Sequence, residues 1–390
     1  MISVETALAH LLSLVERLPG ENVALRAASG RAPSAPLAAR HDQPPFAASA
    51  MDGYAIAGDA ARGDSFDVIG EAAAGHPFDG ALAPGKAVRI FTGAPLPAGA
   101  TRVLLQEDVA RASDRVTLTA EPGVGTHIRP AGGDFTLGTP HQPDRLLGSR
   151  DIALLAAMGY GTVTVTRRPI VAILMTGDEL RPPGEPLRPG QITASNGYGL
   201  AAMVEAAGAE ARLLPIARDT AESLRHAFDL AQGADLLVTI GGASVGDHDL
   251  IAQVAGDAGL DLSFHKVAMR PGKPLLAGTL CEQPLVGLPG NPVSAMVCGV
   301  VFLLPMLRRM LGLPAAAAPE HLPLAAPLAA NGPRQHYMRA TLGPGGLTVA
   351  ERQDSSLLTV LTDATHLVVR PPDDAARDSG ETVEALPLPP

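Results

Sequence analysis

The chain is short of lysine, cysteine and long apolar runs. Of its 390 residues only three are lysines: Lys86, Lys266 and Lys273. Arginine supplies the rest of the basic charge, and acids outnumber bases for a formal net charge of −10. That balance excludes bulk attraction to nucleic acid or anionic lipid, so an anionic ligand requires local cations, backbone donors or a metal. The two cysteines, Cys281 and Cys298, form no C-x-x-C pair. The expectation is a pair of buried, reduced, structural thiols, which suits the cytoplasm. No apolar run reaches transmembrane length. The N-terminus, "MISVETALAHLLSLVERL", has neither the basic start nor the small-residue cleavage site of a signal peptide, and its apolar spacing predicts an amphipathic helix. There is no Walker loop, no G-x-G-x-x-G and no internal repeat.

What is present reads as globular: 46% hydrophobic and 18% charged residues. The length predicts two to four domains. Residues 1–18 read as a helix and 21–45 as irregular, with several prolines. From about 46 to 140, short apolar runs such as "KAVRIFTG", "TRVLLQEDV" and "RVTLTA", punctuated by Gly and Pro, read as a β-domain. A helix, "SRDIALLAAMGY", and then "GTVTVTRRP" follow, so 1–45 with 141–167 are grouped as a helical linker domain.

The texture changes near residue 168. "PIVAILMTG", "EARLLPIA", "ADLLVTIGG" and "PLVGLPG" read as strands. They alternate with the helical stretches "NGYGLAAMVEAAGA", "TAESLRHAFDLAQG", "HDLIAQVAGDAG" and "NPVSAMVCGVVFLLPMLRRMLG". Alternation with short connections predicts a doubly wound parallel sheet over 168–312, covered by helices on both faces. After an Ala/Pro-rich connector, "HYMRATL", "GLTVA" and "HLVVRPP" predict a small β-domain over 313–390.

In such a sheet the strand-to-helix turns share the carboxyl edge, where ligands bind. "TGDEL" (176–180) places Thr176 and two acids directly after a strand. "IGGASVGDHD" (240–249) ends a strand in Gly241 and Gly242, then offers Ser244, Gly246 and Asp249. Glycines let backbone N–H groups approach a phosphate, the following helix adds a positive pole, and a carboxylate can hold a bridging cation. "GLPGNPVSA" (287–295) contains Pro289, Gly290, Asn291 and Pro292, a strong helix-start signal with Asn291 as N-cap. Each turn also has a purely structural reading as a cap or tight turn. Two of the three lysines, Lys266 and Lys273, fall in "HKVAMRPGKP" (265–274) with Arg270 between them. Unit charges about 4 Å apart attract by about 1 kcal/mol in water and about 4 at an effective dielectric of 20. A half-buried cleft with cations, amides and a carboxylate-held Mg²⁺ therefore suits a phosphate. In the N-terminal half, "PPFAASAMDGYAI" (44–56) has an Asp52-Gly53 turn signal, "FTGAPLPAGA" (91–100) carries Thr92, and "HIRPAGGDF" (127–135) sets Arg129 and Asp134 around glycines.

Together "PPFAASAMDGYAI", "IFTGAPLPAGA", "TGDEL", "GGASVGDHD", "RPGKP" and "GLPGNPVSA" resemble the molybdopterin molybdenumtransferase family, MoeA in bacteria and the gephyrin E-domain in animals. The resemblance covers most of the chain, with the motifs in the family's order. It implies four domains: a small helical one, a β-domain, a molybdopterin-binding α/β domain and a C-terminal β-barrel. It further implies a homodimer with the active site between subunits, and a reaction of adenylylated molybdopterin with molybdate that yields molybdenum cofactor and AMP with a divalent metal. By motif, Asp52, Thr92, Glu179, Asp219 and Asp249 fall on catalytic positions, with Glu179, Asp219 and Asp249 as the Mg²⁺ set. Lys266, Arg270, Pro289 and Pro292 also match functional positions, Arg129 and Asp134 match the loop closing the β-domain, and Ser355 in "RQDSS" matches a C-terminal one. This sequence departs from the family at Ala194 and Gly197 in "GQITASNGY", where an acid and an arginine are common, and at Arg270, where lysine is common. Two other functions share parts of this pattern: the molybdopterin adenylyltransferase, which supplies the substrate and is a possible partner, and a non-catalytic pterin-binding scaffold.

Overall fold

The structure, a computed structural model, describes residues 1–241, 250–257, 259–315 and 319–389. Helix α1 (Val4–Ser13) starts at Ser3, whose side chain accepts from the Thr6 amide as an N-cap should. Residues 21–45 are not wholly irregular as the prolines suggested. Strand β1 (Gly20–Ala24) pairs antiparallel with Thr162–Thr166, and Leu37–Ala38 pairs with Pro140–His141. Partners far along the sequence make these strands, and local composition carries no sign of them.

The β-rich segment forms a six-stranded sheet from β2 (Gly53–Ile56), β3 (Ser65–Ala72), β4 (Lys86–Ile90), β5 (Arg102–Leu105), β6 (Val109–Ala112) and β7 (Arg115–Leu118), in the order β5-β2-β4-β3-β7-β6. Gly53 is not the second half of a turn. The chain bends at 50–52 and Gly53 is already in the central strand β2, paired with Ile90 on one side and Leu105 on the other. Helix α2 (Ser149–Ala157) and β8 (Thr162–Thr166) follow, and β8 is the partner of β1.

The α/β segment contains β9 (Ile170–Met175), α3 (Asn196–Ala206), β10 (Glu210–Leu213), α4 (Ala221–Ala231), β11 (Leu236–Ile240), α5 (Leu250–Asp257), β12 (Leu260–Lys266), β13 (Pro274–Leu280), β14 (Gln283–Leu288), α6 (Pro292–Cys298) and α7 (Leu304–Met310). Its sheet runs β10-β9-β11-β14-β13-β12. Strands β10, β9, β11 and β14 are mutually parallel, but β13 is antiparallel to both neighbours, so the sheet is mixed where a parallel one was expected. Successive residues of β9 explain the continuous apolar run. Val171, Ile173 and Met175 join one core with α3, α6, α7 and α1, while Ala172 and Leu174 join a second core with α4 and α5. Helices thus cover both faces, as the doubly wound reading requires.

One expectation about membranes is corrected. The continuous helix Pro292–Met310, with a π-helical segment at Gly299–Leu303, is long and apolar enough to span a membrane. However, 72% of that window is buried within the protein, which makes it a core helix. Cys298 lies in it, fully buried, and burial pushes its thiol pKa far up. Cys281 differs from expectation: it is exposed, at the left-handed hairpin turn between β13 and β14.

The last segment forms an antiparallel sheet of β15 (Glu320–Pro323), β16 (Gln335–Gly343), β17 (Gly346–Val349), β18 (His366–Arg370) and β19 (Thr382–Pro387). Two residues from the preceding segment, Met269–Arg270, add to it in parallel with Gln335 and His336. The architecture is multidomain, an α/β unit with β-rich units on either side in the chain, as the sequence predicts.

Candidate functional site

Three strand ends meet at the carboxyl edge of the mixed sheet. The Thr176 amide donates to Ile240 O at 3.1 Å, and the Gly241 amide donates to Leu288 O at 3.1 Å. The turns after β9, β11 and β14 are therefore laced in sequence. Gly241, at φ +94°, lies so close to the first turn that a Cβ would sit 2.8 Å from Thr176 O. A Cβ on Gly290 would sit 3.6 Å from Gly241 Cα. Glycine is required at 241 both by its positive φ and by this approach. Gly242, Ser244, Gly246 and Asp249 lie outside the described residues, as does Asp247.

In the first turn, Gly177 leaves room for the Glu179 carboxylate to fold back: a Cβ there would be 2.5 Å from Oε2. Asp178 is 3.8 Å from Arg218, whereas the side chains of Glu179 and Asp219 engage no hydrogen bond or ion pair among the described residues. Asp219 reaches this edge because Thr176 bridges Ala217 and the Gly177 amide donates to Ala217 O. Among the described residues, no group of three His, Cys, Asp or Glu side chains is poised around a metal. The available donors at the edge are carboxylate oxygens, which suit a hard cation such as Mg²⁺.

The third turn is held from two sides. Asn196, at the first turn of α3, donates Nδ2 to Gly290 O at 2.7 Å. On the other side, Asn291 occupies the N-cap position of α6, yet its side chain does not cap that helix. It donates to Ser355 Oγ at 3.1 Å, and the Val293 amide donates to Ser355 O at 3.0 Å. Ser355 thus belongs to this turn although it comes from the C-terminal segment. Asn196 is absent from the sequence-based set; its only signal is an amide side chain at a helix start, which reads equally as a cap. The neighbouring departures have a packing basis. Ala194 is buried, and a Cβ on Gly197 would meet Met175 Sδ at 2.6 Å and Leu213 Cδ1 at 3.0 Å. An arginine at 197 has no space until Met175 moves.

The cationic stretch is divided. Lys266 ends β12 and pairs in register with Pro274, which places it and Lys273 at the same edge as the three turns. Arg270 instead pairs with His336 in the C-terminal sheet. Burial, and then Arg270, Arg334, Arg339 and Arg370, lower the His336 pKa to about 4, so the imidazole is neutral and positive charge gathers around it.

Asp52 and Thr92 meet in the β-domain. The Thr92 amide and hydroxyl both donate to Asp52 Oδ1 at 2.8 Å. These bonds, the backbone one first, hold the Asp52 carboxyl below its ordinary range, with a smaller contribution from Arg89. A depressed carboxyl keeps its bonds above the unfolded-state pKa and loses them as pH falls through the folded one. Thr92→Val removes one donor, so the Asp52 pKa is expected to rise toward the ordinary value and the acid limb of any activity needing this carboxylate to move up with it. Carboxyl ¹³C titration checks this; an unmoved Asp52 resonance would mean the hydroxyl contributes nothing. Nearby, Arg129 pairs with Ala48 and the Asp134 amide donates to Gln43 O. Among the described residues, no hydrogen bond or ion pair joins Asp52, Thr92, Arg129 or Asp134 to the three edge turns.

Residues 2–159 match the MoeA N-terminal region (domain I and II), 172–309 a probable molybdopterin binding domain, and 321–388 the MoeA C-terminal region (domain IV). A molybdopterin molybdenumtransferase from Nostoc is 35% identical over 411 residues, spanning 100% of this chain and 94% of that protein. The chain belongs to the molybdopterin molybdenumtransferase family. A second family member, from Mycobacterium tuberculosis, is 36% identical over 313 residues, 77% of each chain. Two crystal structures of a molybdopterin biosynthesis MoeA protein from Pyrococcus horikoshii superpose on essentially the whole chain. Their TM-scores are 0.82 and 0.85, at 30% and 26% identity, covering 99% and 100% of this chain and 98% and 100% of theirs.

Proposed function

We propose that this family member transfers molybdenum from molybdate to adenylylated molybdopterin, releasing molybdenum cofactor and AMP. The observation that carries the reading is the lacing of three strand-end turns at one sheet edge, with Lys266 and Lys273 beside them. Backbone amides and lysine charges there would grip the pterin's phosphates, with Thr176, Gly241, Pro289, Gly290, Asn291 and Pro292 shaping the contact and Arg270 adding charge from the C-terminal side. Glu179 and Asp219, with Asp249, are the residues that would hold Mg²⁺, and the bound cation would offset charge on the phosphoanhydride. A molybdate oxygen or a water attacks that anhydride and AMP leaves; positioning and preorganised charge supply most of the rate, as in other phosphoryl chemistry.

The Asp52–Thr92 pair, lacking a bond to its own chain's edge turns among the described residues, is assigned to the edge of a second subunit in a homodimer. Arg129 and Asp134 are assigned to the same contact between subunits. The chain is accordingly divided into four domains, with the α/β domain at 168–312, and placed in the cytoplasm beside the adenylyltransferase that hands over the substrate.

The test is AMP release from adenylylated molybdopterin with molybdate and Mg²⁺, followed by reconstitution of an apo-molybdoenzyme. Molybdate-dependent AMP is expected. Turnover of ATP with molybdopterin alone would identify an adenylyltransferase, and pterin binding with no AMP would identify a scaffold.

A further inference from the structure

The third edge turn is shaped by a segment over sixty residues away in sequence, and that segment is organised by one arginine. Arg339 lies in β16 and is only 1% exposed. No carboxylate forms an ion pair with it among the described residues. Its guanidinium is instead spread over one short stretch of chain. Nη1 donates to Asp354 O at 2.9 Å and to Leu357 O at 3.4 Å, and Nε donates to Gln353 Oε1 at 3.2 Å. Gln353 closes the loop: its Oε1 also accepts from the Arg339 amide at 3.0 Å, and its Nε2 donates to Arg339 O at 3.0 Å and Ala350 O at 2.8 Å. Asp354 Oδ1 then accepts from the Ser356 amide at 2.8 Å and hydroxyl at 2.6 Å. Between these fixed points stands Ser355, which holds Asn291 through Oγ and the Val293 amide through O.

A buried guanidinium that binds carbonyls fixes backbone position in several directions at once, because its donors form a rigid planar fork. Lysine in its place keeps the charge but offers a single point. We propose that Arg339 is a positioning residue for the Pro289–Pro292 turn, acting through Gln353 and Ser355, so that the C-terminal domain sets the geometry of the pterin-binding edge. The functional half of this proposal rests on the transferase reading; the structural half does not.

Hydrogen-exchange mass spectrometry on the full chain separates the two. Arg339→Lys is compared with Arg370→Lys, whose parent is equally buried on neighbouring β18 but bonds Asp374, Ala329 and Ala375 instead. In Arg339→Lys, peptides covering 291–296 are expected to exchange about tenfold faster, the size of one lost carbonyl bond to a charged donor, while β14 is unchanged. Arg370→Lys leaves 291–296 at the wild-type rate. The kcat/KM for AMP release is expected to fall about tenfold in Arg339→Lys. Unchanged exchange at 291–296 in a folded Arg339→Lys, or an equal rise in Arg370→Lys, overturns the proposal. If Arg339→Lys does not fold, Gln353→Ala, which removes the same bridge from the other end, decides by the same peptides. Faster exchange together with a wild type that releases no AMP would leave the relay standing and remove the transferase reading.

Discussion

Gly53→Ala is expected to destabilise the β-domain by about 3–5 kcal/mol, near the top of what one methyl group does. The cause is the backbone, not the conformation of Gly53 itself, which is an ordinary strand residue. A Cβ there would lie 1.8 Å from the carbonyl oxygen of Leu104 in the adjoining strand. No rotamer relieves a clash with main chain, so β2 has to part from the edge strand β5, and Tyr54 and Leu104 of these strands share one hydrophobic core. Gly58→Ala is the control. Gly58 has φ +87° but open space around it, so alanine there meets conformational strain alone, about 1 kcal/mol. Urea titration followed by near-ultraviolet signals of Tyr54 compares the two. Equal midpoints would show that the Leu104 carbonyl does not overlie Gly53. Because Asp52 precedes Gly53 and its carbonyl accepts from the Gln106 amide, the same substitution should displace the Asp52–Thr92 pair.

Gly53 also shows where reading the sequence stops. An Asp-Gly pair is a turn signal wherever it occurs, and the bend at 50–52 is real. What assigns Gly53 to a strand is its pairing with Ile90 and Leu105, far along the chain. The same division runs through the molecule. Ile170–Met175, Leu236–Ile240 and Gln283–Leu288 are legible because strands buried on both faces are mostly apolar, and their helices follow at short intervals. Once strand and helix alternate, the convergence of the turns after 175, 240 and 288 follows from topology. Strand β12 escapes because four of the seven positions of "LDLSFHK" are polar, and β13 because its pairing is antiparallel within an otherwise parallel pattern. Asn291 misleads in a useful way: its position as a cap is predicted correctly, but its side chain is drawn off by Ser355 from another segment. Asn196 has no legible signal at all, since its role exists only when Gly290 is brought beside it.

Glu179→Ala is expected to lower molybdate-dependent AMP release by about 10²–10³, with little change in stability. Two acids follow β9, and the structure distinguishes them. Asp178 faces Arg218 across 3.8 Å, with the two side chains 63% and 58% exposed. Such a pair is worth about 0–1 kcal/mol and its charge is already answered, so Asp178→Ala should cost less than about threefold. Glu179 is turned back over Gly177 and is answered by no cation among the described residues. Glu179 is exposed, so its carboxylate is open to a hard cation at the edge where the substrate's phosphates are proposed to sit. Glu179→Gln keeps shape and removes charge; it should fall nearly as far as alanine and raise the Mg²⁺ concentration needed for half-maximal rate. Asp219→Asn should act in the same direction. Full AMP release by Glu179→Ala, with loss in Asp178→Ala, would exchange the roles of the two acids. Full release by both would remove this turn from the chemistry and leave the phosphate grip to the amides and lysines alone.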